Sequence, residues 1–109
     1  MTRDELLDEA EAVWLEVEDF HHRCSEARLR SDTWFRWAYA FLWLRLTEPL
    51  SQLSTNRLVG GSVRTRWSRL VRVRNALAHQ RLAEIDYLQL WDDFAEVQAT
   101  LPADLASLR

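Results

Sequence analysis

Glycine and proline are rare in this chain, with only two of each among 109 residues. Tight turns rely on these residue types, so their scarcity disfavours an all-β fold with many turns. Apolar residues instead recur at helical spacing, and 48% of the residues are hydrophobic, which indicates a folded core. We therefore predict a single all-α domain over residues 1–109.

Capping residues and apolar periodicity predict four helices. The predicted starts are Thr2 (with Glu5 completing a capping box), Ser31 or Asp32, Ser62, and Asp86 (with Gln89 as its reciprocal partner). The predicted ends are Ala27 or Leu29, Pro49, Gln80, and the residue before Pro102. The loop between the second and third helices covers residues 51–62 and contains Gly60-Gly61.

The apolar residues on these helices predict the core. On the first helix the seam is Leu6, Ala10, Val13, Val17, Phe20 and Cys24, widened by Trp14. On the fourth it is Tyr87, Leu90, Trp91, Phe94, Val97 and Leu101. The second helix is apolar nearly all round and should be the central element, with Trp34, Trp37 and Trp43 in the core. Six tryptophans are many for this length, so we expect some to face a partner chain.

Charge is segregated along the chain. Eight carboxylates lie in the first 20 residues, whereas Pro49 to Ala83 has no acidic residue and seven arginines: 57, 64, 66, 69, 72, 74 and 81. Guanidinium groups match phosphate geometry, so this segment could bind nucleic acid. The alternative is that it pairs with the acidic first helix.

Cysteine content and hydropathy point to a cytoplasmic protein without a membrane partner. Cys24 is the only cysteine, so no internal disulfide is available, and no Cys/His spacing suggests a metal. The apolar run Trp34–Leu46 contains Arg36 and Arg45 and is too short to span a bilayer.

The segment Arg74-Asn75-Ala76-Leu77-Ala78-His79 places an arginine on the apolar side of the third helix. On a helical wheel, that stripe is roughly 120° wide and comprises Val63, Trp67, Leu70, Val71, Leu77 and Ala78. Arg74 projects from its middle, and Asn75 and His79 lie opposite, close enough to touch. Arg74 and His79 are about 140° apart. Either the helix ends or distorts near Ala78, or the site combines two chains.

This residue set suits RNA cleavage. Histidine titrates near neutral pH and can act as acid or base, while arginine holds phosphate and neutralises charge. Asparagine can orient either partner, and no metal or cofactor is required. The alternative for Arg74 is an ion pair with Glu16, Glu18, Asp19 or Asp93. His79 could merely cap the helix dipole, and Asn75 could be solvated.

Arginine, asparagine, three residues and histidine late in a third helix resemble the motif of the HEPN superfamily. The resemblance implies an up-and-down four-helix bundle that dimerises through helices two and three, with both motifs at the interface. It also implies a metal-independent endoribonuclease in which Arg74 and His79 are essential. HEPN toxins paired with nucleotidyltransferase antitoxins carry a modified tyrosine two residues after the histidine, where this chain has Arg81, so it does not resemble that branch.

The leading hypothesis is a homodimeric HEPN-type endoribonuclease, a toxin or defence effector. Its predicted catalytic residues are Arg74, Asn75 and His79, and its substrate-binding residues Arg69, Arg72 and Arg81. Its partners would be RNA, a second copy, and an antitoxin or regulatory protein. The alternative is a non-catalytic HEPN-like dimerisation or RNA-binding module. A third hypothesis, a helix-turn-helix transcription factor, has weaker support because the predicted loop is long for that motif.

Overall fold

A computed structural model describes all 109 residues and contains helices but no strands. The elements are α1 (Arg3–Arg23), α2 (Glu26–Ser31), α3 (Thr33–Thr55), α4 (Gly61–His79) and α5 (Tyr87–Ser107), with a 3₁₀ turn at Leu82–Glu84. The all-α prediction is confirmed. The chain has five α-helices where four were predicted, and the additional one is the six-residue α2. None of these helices combines the length and apolarity needed to cross a membrane.

The start of α1 is the predicted capping box, but its predicted end is wrong. The Glu5 amide donates to Thr2 Oγ1 and the Thr2 amide to Glu5 Oε1, both at 3.1 Å. The helix stops at Arg23 rather than at Ala27 or Leu29. Ser25 is extended, and its hydroxyl accepts from the Arg28 amide at 3.1 Å. A serine that caps the next turn competes with continuation of the previous helix, so the chain restarts as α2.

Both prolines lie inside helices, which corrects two predicted ends. Asp32 caps α3 as expected, since its carboxylate accepts from the Trp34 and Phe35 amides. However, α3 passes Pro49 and ends at Thr55. An interior proline costs about 3 kcal/mol, but Leu50 and Leu53 beyond it are fully buried, and each such side chain contributes about 1.5–3 kcal/mol.

The same balance extends α5 through Pro102 to Ser107, where Leu105 is buried.

Because α3 continues past Pro49 to Thr55, the α3–α4 connection is residues 56–60, shorter than the predicted 51–62 loop. Ser62 lies inside α4 and does not cap it; Gly60 occupies the cap position, and Gly61 has φ +62°. Asp86 caps α5 through the Gln89 amide at 3.0 Å. The Gln89 side chain donates to Asp93 instead of returning to Asp86.

Helix α3 is the central element, as predicted. It packs most extensively against α1 and α4 and also touches α2 and α5. Tyr39, Trp43 and Leu46 are fully buried on it. The seams of α1 and α5 are confirmed: their predicted residues are buried, or partly buried against the core in the case of Phe20, Cys24 and Trp91.

Two core predictions are wrong. Trp43 is buried, but Trp34 is 75% exposed and Trp37 36% exposed. On α4 the predicted stripe is only partly used: Trp67 and Leu70 are buried, whereas Ala78 is exposed. Helix α4 therefore presents much of its surface, including the arginine–histidine segment, to solvent.

Candidate functional site

Arg74 is held in place by two neighbouring side chains. Its Nε donates to Glu48 Oε2 at 2.8 Å and its Nη2 to Glu48 Oε1 at 3.2 Å. Its Nη1 donates to Asn75 Oδ1 at 3.2 Å. The Arg74 side chain remains 30% exposed. The guanidinium is thus oriented by a fork-like pair to α3 and by its own helix, while solvent still reaches it.

The ion pair shifts both partners toward their charged forms. The hydrogen bond from Arg74 is the main reason that the pKa of Glu48 is lowered. In turn, the hydrogen bond to Glu48 raises the pKa of Arg74. Both groups therefore stay ionised across the neutral range, and a partly exposed pair of this kind contributes little to stability.

Sequence reasoning missed Glu48. None of the four predicted partners binds Arg74: Glu16 pairs with Arg45, Glu18 accepts from Gln98, Asp19 pairs with Arg23, and Asp93 pairs with Arg69. The sequence did contain a signal, because Glu48 is the only carboxylate between Asp32 and Glu84. A lone acid beside an arginine-rich segment is the natural partner for a misplaced arginine.

Asn75 is exposed on α4, next to Arg74. Its amide oxygen accepts from Arg74 rather than contacting His79, its i+4 neighbour. Of the two orienting roles predicted for Asn75, the structure provides the one toward the arginine.

His79 is the last residue of α4 and is exposed. The Gln80 amide donates to the Ala76 carbonyl at 2.9 Å, which closes the final turn, and Gln80 itself is extended. The helix therefore ends at the histidine. Because α4 is helical through both residues, Arg74 and His79 still point about 140° apart. One chain does not bring them together.

The seven arginines of the acid-free segment divide into two groups. Three are paired: Arg66 with Asp104, Arg69 with Asp93 and Glu96, and Arg74 with Glu48. Four make no ion pair: Arg57, Arg64, Arg72 and Arg81. The alternative that this segment pairs with the first helix is wrong, because all three pairs run to α5 or α3. Arg69, Arg72 and Arg81 are all exposed, but Arg69 is tied to α5 by its two ion pairs.

Exposed aromatic side chains lie on the amino-terminal half of α3. Trp34, Trp37 and Phe41 follow one another at spacings of three and four, and Phe41 is 59% exposed. The rings of Trp34 and Trp37 meet edge to face at 5.3 Å. Exposed aromatic side chains grouped in this way make this face a candidate interaction surface.

This aromatic face lies toward the same end of the molecule as His79. Arg74 pairs with Glu48, and Leu82, Ala83 and Ile85 after α4 line one surface hollow together with Trp37. Helices α3 and α4 therefore run antiparallel. The candidate site thus has a basic, polar part on α4 and an apolar part on α3.

The structure contains no group of three or more His, Cys, Asp or Glu side chains that could hold a metal ion. Comparison with protein-family models, curated proteins and solved structures found no match to this chain.

Proposed function

We propose that the chain is one protomer of a metal-independent endoribonuclease of HEPN type. In this proposal the four long helices α1, α3, α4 and α5 form an up-and-down bundle, and two copies associate through α3 and α4. Arg74, Asn75 and His79 of both copies then line a shared cleft. The protein acts in the cytoplasm as a toxin or defence effector, controlled by an antitoxin or regulatory protein.

The observation that carries the proposal is the environment of Arg74. Its guanidinium is oriented by Glu48 and Asn75, is still reached by solvent, and is followed five residues later by an exposed histidine at the end of the helix. Phosphodiester cleavage without a metal requires a preoriented cation and an accessible imidazole, and the chain has both, although one copy does not bring them together.

The reaction uses the RNA's own 2′-hydroxyl. One histidine takes the proton from this hydroxyl as its oxygen attacks the adjacent phosphorus, and a 2′,3′-cyclic phosphate forms. The bond from phosphorus to the 5′-oxygen breaks, and a protonated histidine donates to that oxygen. Arg74 neutralises the charge on the phosphorane, and Asn75 holds the guanidinium. Arg72 and Arg81, which make no ion pair, bind flanking phosphates, whereas Arg69 is engaged by Asp93 and Glu96 on α5.

A second copy supplies what one helix cannot. Within one chain Arg74 and His79 diverge by about 140°, so a two-fold arrangement would allow the histidine of each copy to face the arginine of its partner. The exposed Trp34 and Phe41 support this arrangement, because they provide an apolar surface on α3 beside the proposed cleft.

The test uses purified protein with labelled single-stranded and structured RNA in the presence of a chelator. We expect the wild-type protein to cleave and the His79→Ala and Arg74→Ala variants to lose activity. An Arg64→Ala variant, which removes an unpaired arginine elsewhere on α4, is the matched control and should retain activity. If wild type and His79→Ala cleave equally poorly, the catalytic proposal fails.

Stability measurements distinguish a catalytic role of Arg74 from a structural one. The Arg74–Glu48 pair is partly exposed, so Arg74→Ala should unfold at nearly the wild-type temperature. A large loss of stability in this variant would instead assign Arg74 to a purely structural ion pair.

The second candidate is a non-catalytic HEPN-like dimerisation or RNA-binding module. The engagement of three Arg74 nitrogens within the chain favours it, since a phosphate must compete with Glu48 for the guanidinium. Salt-dependent RNA binding without cleavage by the wild-type protein would support this module.

A further inference from the structure

A hollow of about 410 Å³ opens beside the end of α4. Its walls come from the start of α3, the connection between α4 and α5, and the start of α5. The residues that matter for its chemistry are Arg36, Trp37, Leu82, Ala83 and Tyr87. The proposed cleavage reaction does not use this hollow.

The hollow is close to His79. Leu82 follows His79 by three residues, and consecutive Cα atoms are 3.8 Å apart, so their Cα atoms cannot be separated by more than about 11 Å. A group bound against Leu82 and Trp37 would therefore lie within reach of a nucleotide chain passing His79.

The walls are aromatic and apolar. Trp37 is 36% exposed, and Leu82, which lines the same hollow, is 46% exposed. The Tyr87 hydroxyl donates to the Leu82 carbonyl at 2.6 Å, which ties the connection to α5. An apolar hollow lined by an exposed tryptophan suits a planar ring, because stacking on tryptophan does not depend on the identity of the base.

Arg36 gives the hollow a positive charge. Its Nη1 donates to the Arg30 carbonyl at 2.9 Å and its Nη2 to Thr33 Oγ1 at 3.0 Å, and its guanidinium carbon lies 5.8 Å from the Tyr87 ring centre. These acceptors are neutral and Arg36 makes no ion pair. Arg36 also borders a neighbouring hollow, which is lined by Arg30 and Asp86. Within the hollow itself Arg36 is the only charged residue, and its unpaired guanidinium favours an anion such as phosphate.

We propose that this hollow is a nucleobase subsite, in which an unpaired base of the RNA stacks on Trp37 while a neighbouring phosphate contacts Arg36. The inference rests on the proposed function for its ligand class, and it adds that the substrate is single-stranded beside the cleaved bond. A concave hollow with one positive charge suits a nucleotide, whereas the surface formed by the more exposed Trp34 and Phe41 suits contact with a second copy.

The test measures equilibrium binding of a labelled 2′-O-methyl oligoribonucleotide, which lacks the attacking hydroxyl and cannot be cleaved. We expect Trp37→Ala to weaken binding about tenfold, the loss that corresponds to one stacked base. Trp37→Phe should bind nearly as well as wild type. Leu15→Ala, which removes an exposed apolar side chain on α1 away from both the hollow and the proposed interface, is the control and should bind within about twofold of wild type.

A second binding experiment uses the same oligoribonucleotide with one abasic position. At the position that occupies the hollow, removing the base should weaken wild-type binding, with no further loss in Trp37→Ala. Equal binding by Trp37→Ala and wild type would overturn the subsite. So would loss of dimerisation by Trp37→Ala in sedimentation, because the hollow would then belong to the second copy.

The two proposals fail separately. If the wild-type protein does not cleave RNA but binding of the uncleavable oligomer depends on Trp37, the endoribonuclease fails and the subsite stands. If RNA is cleaved but Trp37→Ala binds like wild type, the subsite fails and the endoribonuclease stands.

Discussion

Arg74 on α4 donates two hydrogen bonds to Glu48 on α3, at 2.8 Å from Nε to Oε2 and at 3.2 Å from Nη2 to Oε1. Glu48 orients the guanidinium and at the same time balances its positive charge. An incoming phosphate would share Arg74 with Glu48 or displace it. The strength of RNA binding should therefore depend on a carboxylate that never touches the RNA.

Replacing this carboxylate by its neutral isostere tests the competition. Glu48→Gln keeps one acceptor for Arg74 but removes the negative charge, so we expect severalfold tighter binding of an uncleavable RNA and a steeper salt dependence. Fluorescence anisotropy at several salt concentrations measures both. The double variant Glu48→Gln/Arg74→Ala is the control, and it should lose the gain. Unchanged affinity in Glu48→Gln would show that Arg74 does not contact phosphate.

Arg69 and Arg72 should behave oppositely although both were predicted to bind RNA. Arg69 neutralises Asp93, which is buried and otherwise accepts only from Gln89. Arg69→Ala should therefore cost about 1–3 kcal/mol, the penalty of a buried acceptor that loses its partner. Arg72→Ala should change stability by less than about 0.5 kcal/mol but reduce the salt slope of RNA binding by about 0.7.

Urea denaturation and salt-dependent binding of the two variants supply the comparison. Equal stability of the variants would mean that the Asp93 pair contributes nothing.

The aromatic face of α3 should determine the oligomeric state. Phe41 and Leu15 are equally exposed, at 59%, but lie on different helices. We expect Phe41→Glu to convert a dimer into a monomer in analytical ultracentrifugation, because it places a charge within an apolar interface. Leu15→Glu on α1 should leave the dimer intact. A dimer that survives Phe41→Glu but not Leu15→Glu would move the interface to α1.

His21 should make stability dependent on pH. Its ring stacks at 3.9 Å from Trp91 and 3.6 Å from Phe94, and its Nδ1 lies 2.7 Å from the Tyr39 hydroxyl. Two nearly parallel rings this close must lie on opposite faces, so the imidazole is held between them. Burial, with a smaller contribution from His22, lowers its pKa from 6.5 to about 4.

The sign of the effect follows from proton binding. Between pH 6.5 and about 4 the unfolded chain binds the proton more readily than the folded chain. The contribution of His21 is therefore fully present above pH 6.5 and is lost as pH falls toward 4. We expect a loss of about 1–2 kcal/mol, reduced from the full linkage value because solvent reaches part of the ring.

Urea unfolding at pH 7.5 and pH 4.5 measures this loss. In His21→Gln, which does not titrate but can still accept from Tyr39, the difference between the two pH values should shrink. An unchanged difference would assign the pH dependence to carboxylates.

Much of the architecture was predictable from local signals. The capping box at Thr2, the caps at Asp32 and Asp86, and the apolar seams of α1 and α5 depend on residues a few positions apart, so sequence is sufficient to find them. The helix ends at Pro49 and Pro102 were not predictable in this way. Burial of Leu50, Leu53 and Leu105 against distant residues offsets the local cost of proline, and that burial exists only in the folded chain.

The candidate site was likewise predictable only in part. From sequence alone come the identity and spacing of Arg74, Asn75 and His79, and the angle that separates the arginine from the histidine. Only the tertiary structure selects Glu48 as the partner of Arg74, divides the arginines into paired and unpaired groups, and turns Trp34 and Phe41 outward. These outcomes depend on which helix faces meet, and helical periodicity specifies the faces of each helix without specifying their neighbours.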